Sequence, residues 1–401
     1  MSTPDDILER WARLVVGFGA NVQPGQVVAI GSEPGKEEFH RAPAAEAYRA
    51  GAKFVDVMTF DLHVKRARLL HADPESLDFV PSWYGERLLA LGEQRAARIG
   101  MSGPVDPGAL DGIDPALAGR DQLPFLREAS KVVNDRTTNW TIAPAPTPAW
   151  AQLVHPELDA DAALAKLWEE IVHVLRLDTD DPVAAWRERA DTLVDAAARV
   201  TERRFDALRF EGPGTDLTVG LLPSSSFMAA RFSTADGLEH MPNLPTEEVF
   251  STPDPERVDG VVTATKPLFL GGSIIRGLKV RFEGGRAVQI DAEENAGVLR
   301  SYSERDPGAA RLGEVALVDR EGRIGPLGTV FYDTLLDENA ASHIALGSAY
   351  GFTVDDDADR ERSNQSSIHV DFMIGSDDVA VSGVTGGGET VPVLRDGSWQ
   401  L

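Results

Sequence analysis

Residues 24–59 read PGQVVAIGSEPGKEEFHRAPAAEAYRAGAKFVDVMT. Pro24-Gly25 is a turn signal, and the short apolar run Gln26-Val-Val-Ala-Ile30 that follows it suits a buried strand. A helical stretch is predicted over Ala44–Ala50, directly after Pro43, because proline is tolerated in a first helical turn. Lys53–Thr59 then reads as a second strand. Strand, helix, strand in this order is the signature of a parallel α/β sheet.

Working outward, the apolar residues Ile7, Leu8, Trp11, Leu14, Val15 and Phe18 recur at helical spacing and predict a helix from Ile7 to about Ala20. Downstream, Glu86–Ile99 and Leu123–Ser130 read as helices and Asn139–Ile142 as a strand. The proline-rich run Ala143-Pro-Ala-Pro-Thr-Pro148 interrupts the pattern, and two long amphipathic helices follow at Asp159–Leu177 and Pro182–Arg203. From about Ala207 short strands separated by Gly and Asp dominate: Leu217–Leu221, Val258–Ala264, Gly277–Phe282, Ala287–Ile290, Glu314–Val318, Ile368–Ile374, Val379–Ser382 and Val391–Leu394. One helix is predicted within this half, at about Glu338–Tyr350, with Asp337 as its N-cap. The expected architecture is an α/β N-terminal domain with a parallel sheet (residues 1–200), followed by an α+β, strand-rich C-terminal domain (201–401) carrying a metal site.

The bulk composition removes whole classes of function. With 64 acidic against 39 basic residues, the formal charge is −25, which disfavours phosphate backbones and anionic lipid, so neither nucleic acid nor membrane is an expected partner. The chain has no cysteine, which excludes disulfide scaffolds, thiolate zinc and iron–sulfur sites and thiol nucleophiles. The start MSTPDDILERWARLVVGFGA lacks a basic region followed by an apolar run, so a cytoplasmic location is the expectation, and the Asn-x-Ser/Thr matches at Asn139 and Asn364 carry no glycosylation meaning. No Walker-type phosphate loop, G-x-S-x-G elbow or H-E-x-x-H helix is present.

Four segments of the second half concentrate groups suited to metal ions. Asn243-Leu-Pro-Thr-Glu-Glu-Val-Phe250 sets adjacent carboxylates where a loop becomes extended. In Arg311-Leu-Gly-Glu-Val-Ala-Leu-Val318, Glu314 opens an otherwise apolar strand, where an unpaired carboxylate would cost several kcal/mol. On the predicted helix after Asp337, Glu338 lies in the first turn while His343 and Tyr350, seven apart, share a face. In the strand Ile368–Ile374, His369 and Asp371 point to the same side. Taken singly, each has an ordinary reading as a solvated pair or a core histidine. Together, Glu248, Glu314, Glu338, His343, His369 and Asp371 supply four carboxylates and two imidazoles, more than one tetrahedral ion needs. Two borderline dications sharing a carboxylate would use them all, with Zn, Co or Mn the expected ions and Mg also compatible. His40, His63, His71, His155, His173 and His240 lie outside these segments and are expected in surface or core roles.

The segments NLPTEEVF, RLGEVALV, FYDTLLDENAASHIALGSAY and IHVDFMIGS resemble the M29 family of metallo-aminopeptidases, the group of aminopeptidases T and S. Weaker likeness runs through VQPGQ at residues 22–26 and TNWTIAPAPTPAWA at Thr138–Ala151, so the resemblance spans essentially the whole chain. It implies that Glu248, Glu314, Glu338, His343, His369 and Asp371 are metal ligands, with Glu314 bridging both ions, and that Tyr350 assists catalysis. It also implies a homodimer with its site facing an internal cavity. Because Glu247 and Glu248 are adjacent, the register of the alignment decides which of them is the ligand.

The expected activity is release of N-terminal amino acids from peptides with a free N-terminus, by a metal-activated water at a two-metal site. Tyr350 would donate a hydrogen bond to the tetrahedral oxyanion, and Glu247 is the candidate general base. The alternatives are another dinuclear metallohydrolase, such as a dipeptidase or small-amide hydrolase, and a non-catalytic peptide-binding protein.

Overall fold

The computed structural model describes residues 5–121, 123 and 127–401. The chain divides into two compact units, and it crosses between them more than once. The first comprises Met1–Ile113, Asp121–Ala190 and Ala230–Thr246; the second comprises Asp114–Arg120, Asp191–Ala229 and Glu247–Leu401. No single boundary near residue 200 therefore separates them, since residues 230–246 return to the first unit.

The first unit is built on a four-stranded parallel sheet in the order Phe54–Thr59, Val27–Ser32, Ala97–Ser102, Trp140–Pro144. Val28, Ala29 and Ile30 of the inner strand are buried, as expected of a strand covered on both faces. The strand order reverses between Val27–Ser32 and Ala97–Ser102, the position where open α/β sheets commonly bind ligands. Here Lys36, 1% exposed, occupies that position, paired with Glu33 at 3.2 Å and donating to the Ser102 carbonyl at 3.2 Å.

Two predicted helices of this unit differ from the observed ones. The helix after the first strand spans Glu37–Arg49, so Pro43 lies inside it rather than in its first turn. Glu37 and Glu38 favour the earlier start, since acidic side chains suit the positive end of the helix dipole. The stretch expected as a helix over Glu86–Ile99 is a helix Ser82–Glu93 followed by the strand Ala97–Ser102, with Arg95 turning between them at φ 51°. That strand pairs on both sides, and the sheet partners override the local helical pattern. The helix expected at Leu123–Ser130 is observed at Arg127–Asn134; residues 122 and 124–126 lie outside the described residues.

The two long helices agree closely with the periodicity. Ala160–Val174 is capped by Asp159, whose carboxylate accepts from the Ala162 N–H, and it buries Ala163, Leu164, Leu167, Trp168, Ile171 and Val174 along one stripe. Pro182–Glu202 follows.

Besides a short hairpin of Leu268–Leu270 with Ser273–Ile275, the second unit contains two larger antiparallel sheets. The larger has eight strands in the order Arg286–Asp291, Lys279–Glu283, Pro253–Thr263, Thr215–Leu221, Ala207–Gly212, Ala380–Val384, Thr390–Arg395, Ser398–Trp399. The smaller has five, in the order His369–Met373, His343–Gly347, Leu312–Val318, Glu248–Ser251, Met228–Ala229. All seven residues of Leu312–Val318 are buried.

The helix predicted over Glu338–Tyr350 is not formed. A five-residue helix, Thr334–Glu338, is capped by Asp333 rather than Asp337 and ends at Asn339. His343–Gly347 is a fully buried strand paired on both sides, so His343 and Tyr350 share no helix face. The small residues that resembled a close-packing helix serve as an inner strand, because two long-range ladders outweigh the modest helix preference of a few alanines.

Candidate metal centre

The five-stranded sheet collects the candidate ligands through its register. Glu248 pairs with Val318; Glu314 pairs with Ala345, which on its other edge pairs with Asp371; Gly347 pairs with His369. His343 lies two residues from Ala345 on the same strand. Since opposed residues share a face and side chains alternate with period two, Glu248, Glu314, His343, His369 and Asp371 all rise from one face of the sheet. Ala345 sits between Glu314 and Asp371 in the register and contributes only a methyl there.

Two overlapping groups result, each with its donor atoms within 4.8 Å of one another: Glu248, Glu314 and His343, and Glu314, His369 and Asp371. His343 Nε2 lies 3.0 Å from Glu248 Oε2 and 3.8 Å from Glu314 Oε1. His369 Nε2 lies 3.2 Å from Glu314 Oε2 and 3.5 Å from Asp371 Oδ2. Glu314 thus turns one oxygen to each imidazole. Both rings are fixed from behind: His343 Nδ1 donates to the Ala341 carbonyl at 3.1 Å, and His369 Nδ1 to the Ser348 carbonyl at 2.8 Å. A carbonyl only accepts, so each Nδ1 carries the proton of that bond and each Nε2 is aimed into the cluster.

Glu338, at the end of its short helix, is buried but belongs to neither tight group. Burial, with the charges of Asp371 and Glu248, pushes its carboxyl well above the ordinary range, which places it beside the same cluster. Burial also raises Glu248. For Glu314, burial is outweighed by contacts with His343 and His369, which hold its carboxyl at about 2. Despite burial, the surrounding carboxylates push both imidazoles well above their ordinary value. The cluster therefore draws positive charge onto whatever it contains.

Tyr350 precedes the short turn Gly351–Thr353, and its ring lies 5.1 Å from that of His369, 5.8 Å from Phe250 and 5.4 Å from Phe352. Burial pushes its phenol up, keeping the O–H protonated. Glu247 is also fully buried; its Oε1 accepts from the Arg323 N–H at 3.4 Å, and a Cβ at Gly322 would stand 3.1 Å from its carboxyl carbon. Asn339, which attracted no notice in the sequence, bonds to the segments carrying both Glu248 and Glu338. The carbonyls of Ala341 and Ser348 were invisible for a different reason: backbone acceptors have no residue signature.

The donor set fits divalent cations. Asp371 Oδ1 is buried with no hydrogen-bond partner, and four carboxylates converge with only two imidazoles to balance them. Such a concentration of buried negative charge is stable only when paired or coordinating a cation. Among the remaining histidines, His155 bonds Glu170 at 2.9 Å, Ser32 bonds His40 at 2.8 Å, and His240 packs against Trp140 and Phe232.

Residues 4–399 match the thermophilic metalloprotease (M29) family. The chain is 43% identical over 400 residues to aminopeptidase T of Thermus thermophilus, covering 98% of each protein. It is 37% identical over 406 residues to aminopeptidase PepS of Streptococcus thermophilus, again covering 98% of each. The solved structure of wild-type AmpT from Thermus thermophilus superposes with a TM-score of 0.88 at 42% identity, covering 99% of this chain and 100% of that one. This chain belongs to the M29 family of metalloproteases and is a hydrolase acting on peptides.

Proposed function

We propose that this metallo-aminopeptidase removes the first residue of peptides at a centre of two divalent ions held by Glu248, Glu314, Glu338, His343, His369 and Asp371. The observation that carries this reading is Glu314, whose two oxygens serve two separate donor groups. The mixture of imidazole nitrogen and carboxylate oxygen suits Zn, Co or Mn and tolerates Mg. Ions held there would supply Lewis acidity and lower the pKa of a water.

The chain's own residues account for the rest. Cleavage confined to the first peptide bond requires that the free α-amine be recognised, and a carboxylate beside the cluster that no ion uses would pair with its ammonium form. Tyr350, kept protonated by burial, donates to the oxyanion of the tetrahedral intermediate. Glu247 takes the role of general base in this reading, and Glu247→Gln tests it while retaining an acceptor for Arg323 N–H. A fall in kcat of about 10²-fold or more with unchanged melting supports proton transfer; unchanged kcat assigns Glu247 to anchoring the 322–323 loop alone. A homodimeric state and a cytoplasmic location belong to the same proposal.

Substrate preference is tested by comparing leucyl peptides with their N-acetylated counterparts. An aminopeptidase hydrolyses the free-amine peptides and leaves the acetylated ones intact. Equal turnover of both would favour a different dinuclear metallohydrolase on the same scaffold.

A further inference from the structure

Asn339 is 1% exposed and its side-chain amide bonds to three groups. Its Oδ1 accepts from the Glu247 N–H at 2.6 Å, while its Nδ2 donates to the Leu335 carbonyl at 2.8 Å and to Glu338 Oε1 at 3.4 Å. The Glu247 amide lies just beyond the last ladder pair, Glu248 with Val318, where a buried N–H needs a partner from outside the sheet. Through Leu335 the same amide grips the short helix that delivers Glu338. One side chain thus ties together two segments far apart in sequence, each ending in a carboxylate of the cluster.

We propose that Asn339 is a positioning residue, holding Glu248 and Glu338 in register with each other within the metal cluster. The inference rests on the two-ion reading above. The chemistry of the side chain is specific to this task. An amide offers an acceptor and two donors without charge, and all are engaged here. Aspartate is isosteric but has no donor, and it would set another buried negative charge beside Glu338. Alanine leaves both the Glu247 N–H and the Glu338 carboxylate without this partner. Glu248 belongs to the group with Glu314 and His343, and among the described residues no hydrogen bond joins Asn339 to His369 or Asp371, so the larger effect is expected on the ion of the Glu248 group.

The test is calorimetric titration of Zn²⁺ into chelator-stripped wild type, Asn339→Ala and Asn339→Asp, with thermal melting of each stripped protein. Wild type is expected to show two binding events. In both variants one event weakens by about 10- to 100-fold, the usual cost of losing a partner that orients a metal ligand, while the other changes less. If Asn339→Ala does not fold, the isosteric Asn339→Asp carries the test by itself. Two wild-type-like events in a folded variant overturn the proposal. So does equal weakening of both events with a lowered melting temperature of the stripped protein, which is the signature of a merely structural role. Wild type that binds no Zn²⁺ overturns the two-ion reading itself and this inference with it.

Discussion

Glu314→Gln is expected to lower kcat/KM by on the order of 10³-fold or more, since it removes several kcal/mol of charge stabilisation from the centre of the site. Glu314 is the residue common to both donor groups, with one oxygen 3.8 Å from His343 and the other 3.2 Å from His369. Glutamine keeps the length and one acceptor but replaces the second oxygen with an amide that donates and has no lone pair for a cation. Bound metal should fall from two equivalents to one or fewer, measured by elemental analysis after dialysis. Folding should survive, because the strand Leu312–Val318 is held by ladders on both sides. Full activity with two ions retained would remove Glu314 from the centre.

Tyr350→Phe carries the second large effect. The phenol lies beside His369, and phenylalanine preserves its ring packing on Phe250 and Phe352 while deleting only the O–H. Loss of one donor to a developing oxyanion costs about 10²- to 10³-fold in kcat. Because the bond is made in the transition state and not to the ground-state peptide, KM should stay within a few-fold. Steady-state kinetics on a leucyl amide separate the two constants, and a variant with full kcat would exclude the tyrosine from the chemistry.

Much of the fold was legible because its signals are local. The alternation His369-Val-Asp371 placed two donors on one strand face, and the paired strand holds them there. The stripe from Ala163 to Val174 specified a helix whose Asp159 cap is observed. What failed was governed by contacts distant in sequence. His-Ile-Ala-Leu-Gly has no strong strand signature on its own, and it is a strand because Leu312–Val318 and His369–Met373 flank it. Glu338 reaches the cluster from a helix of only five residues, where a much longer one was expected. The return of residues 230–246 to the first unit likewise has no local marker, because it depends on pairing such as that of Ile142 with Asn243.

The candidate ligands were easier to find than their supports. A carboxylate at the mouth of an apolar strand stands out in any reading, as Glu314 did. Asn339 did not, because an amide next to Glu338 looks like an ordinary helix end until its three bonds are seen. The carbonyls that orient His343 and His369 are set entirely by the chain path.

The central claim is that hydrolysis depends on two divalent ions in this cluster. Its most direct test is leucyl chromogenic amide hydrolysis by chelator-stripped protein, titrated separately with Co, Zn, Mn and Mg while bound metal is counted. A two-ion centre predicts no activity in the stripped protein and recovery that saturates near two equivalents of at least one of these ions. Full activity in protein carrying no metal, or saturation at one equivalent with no further uptake, would contradict it.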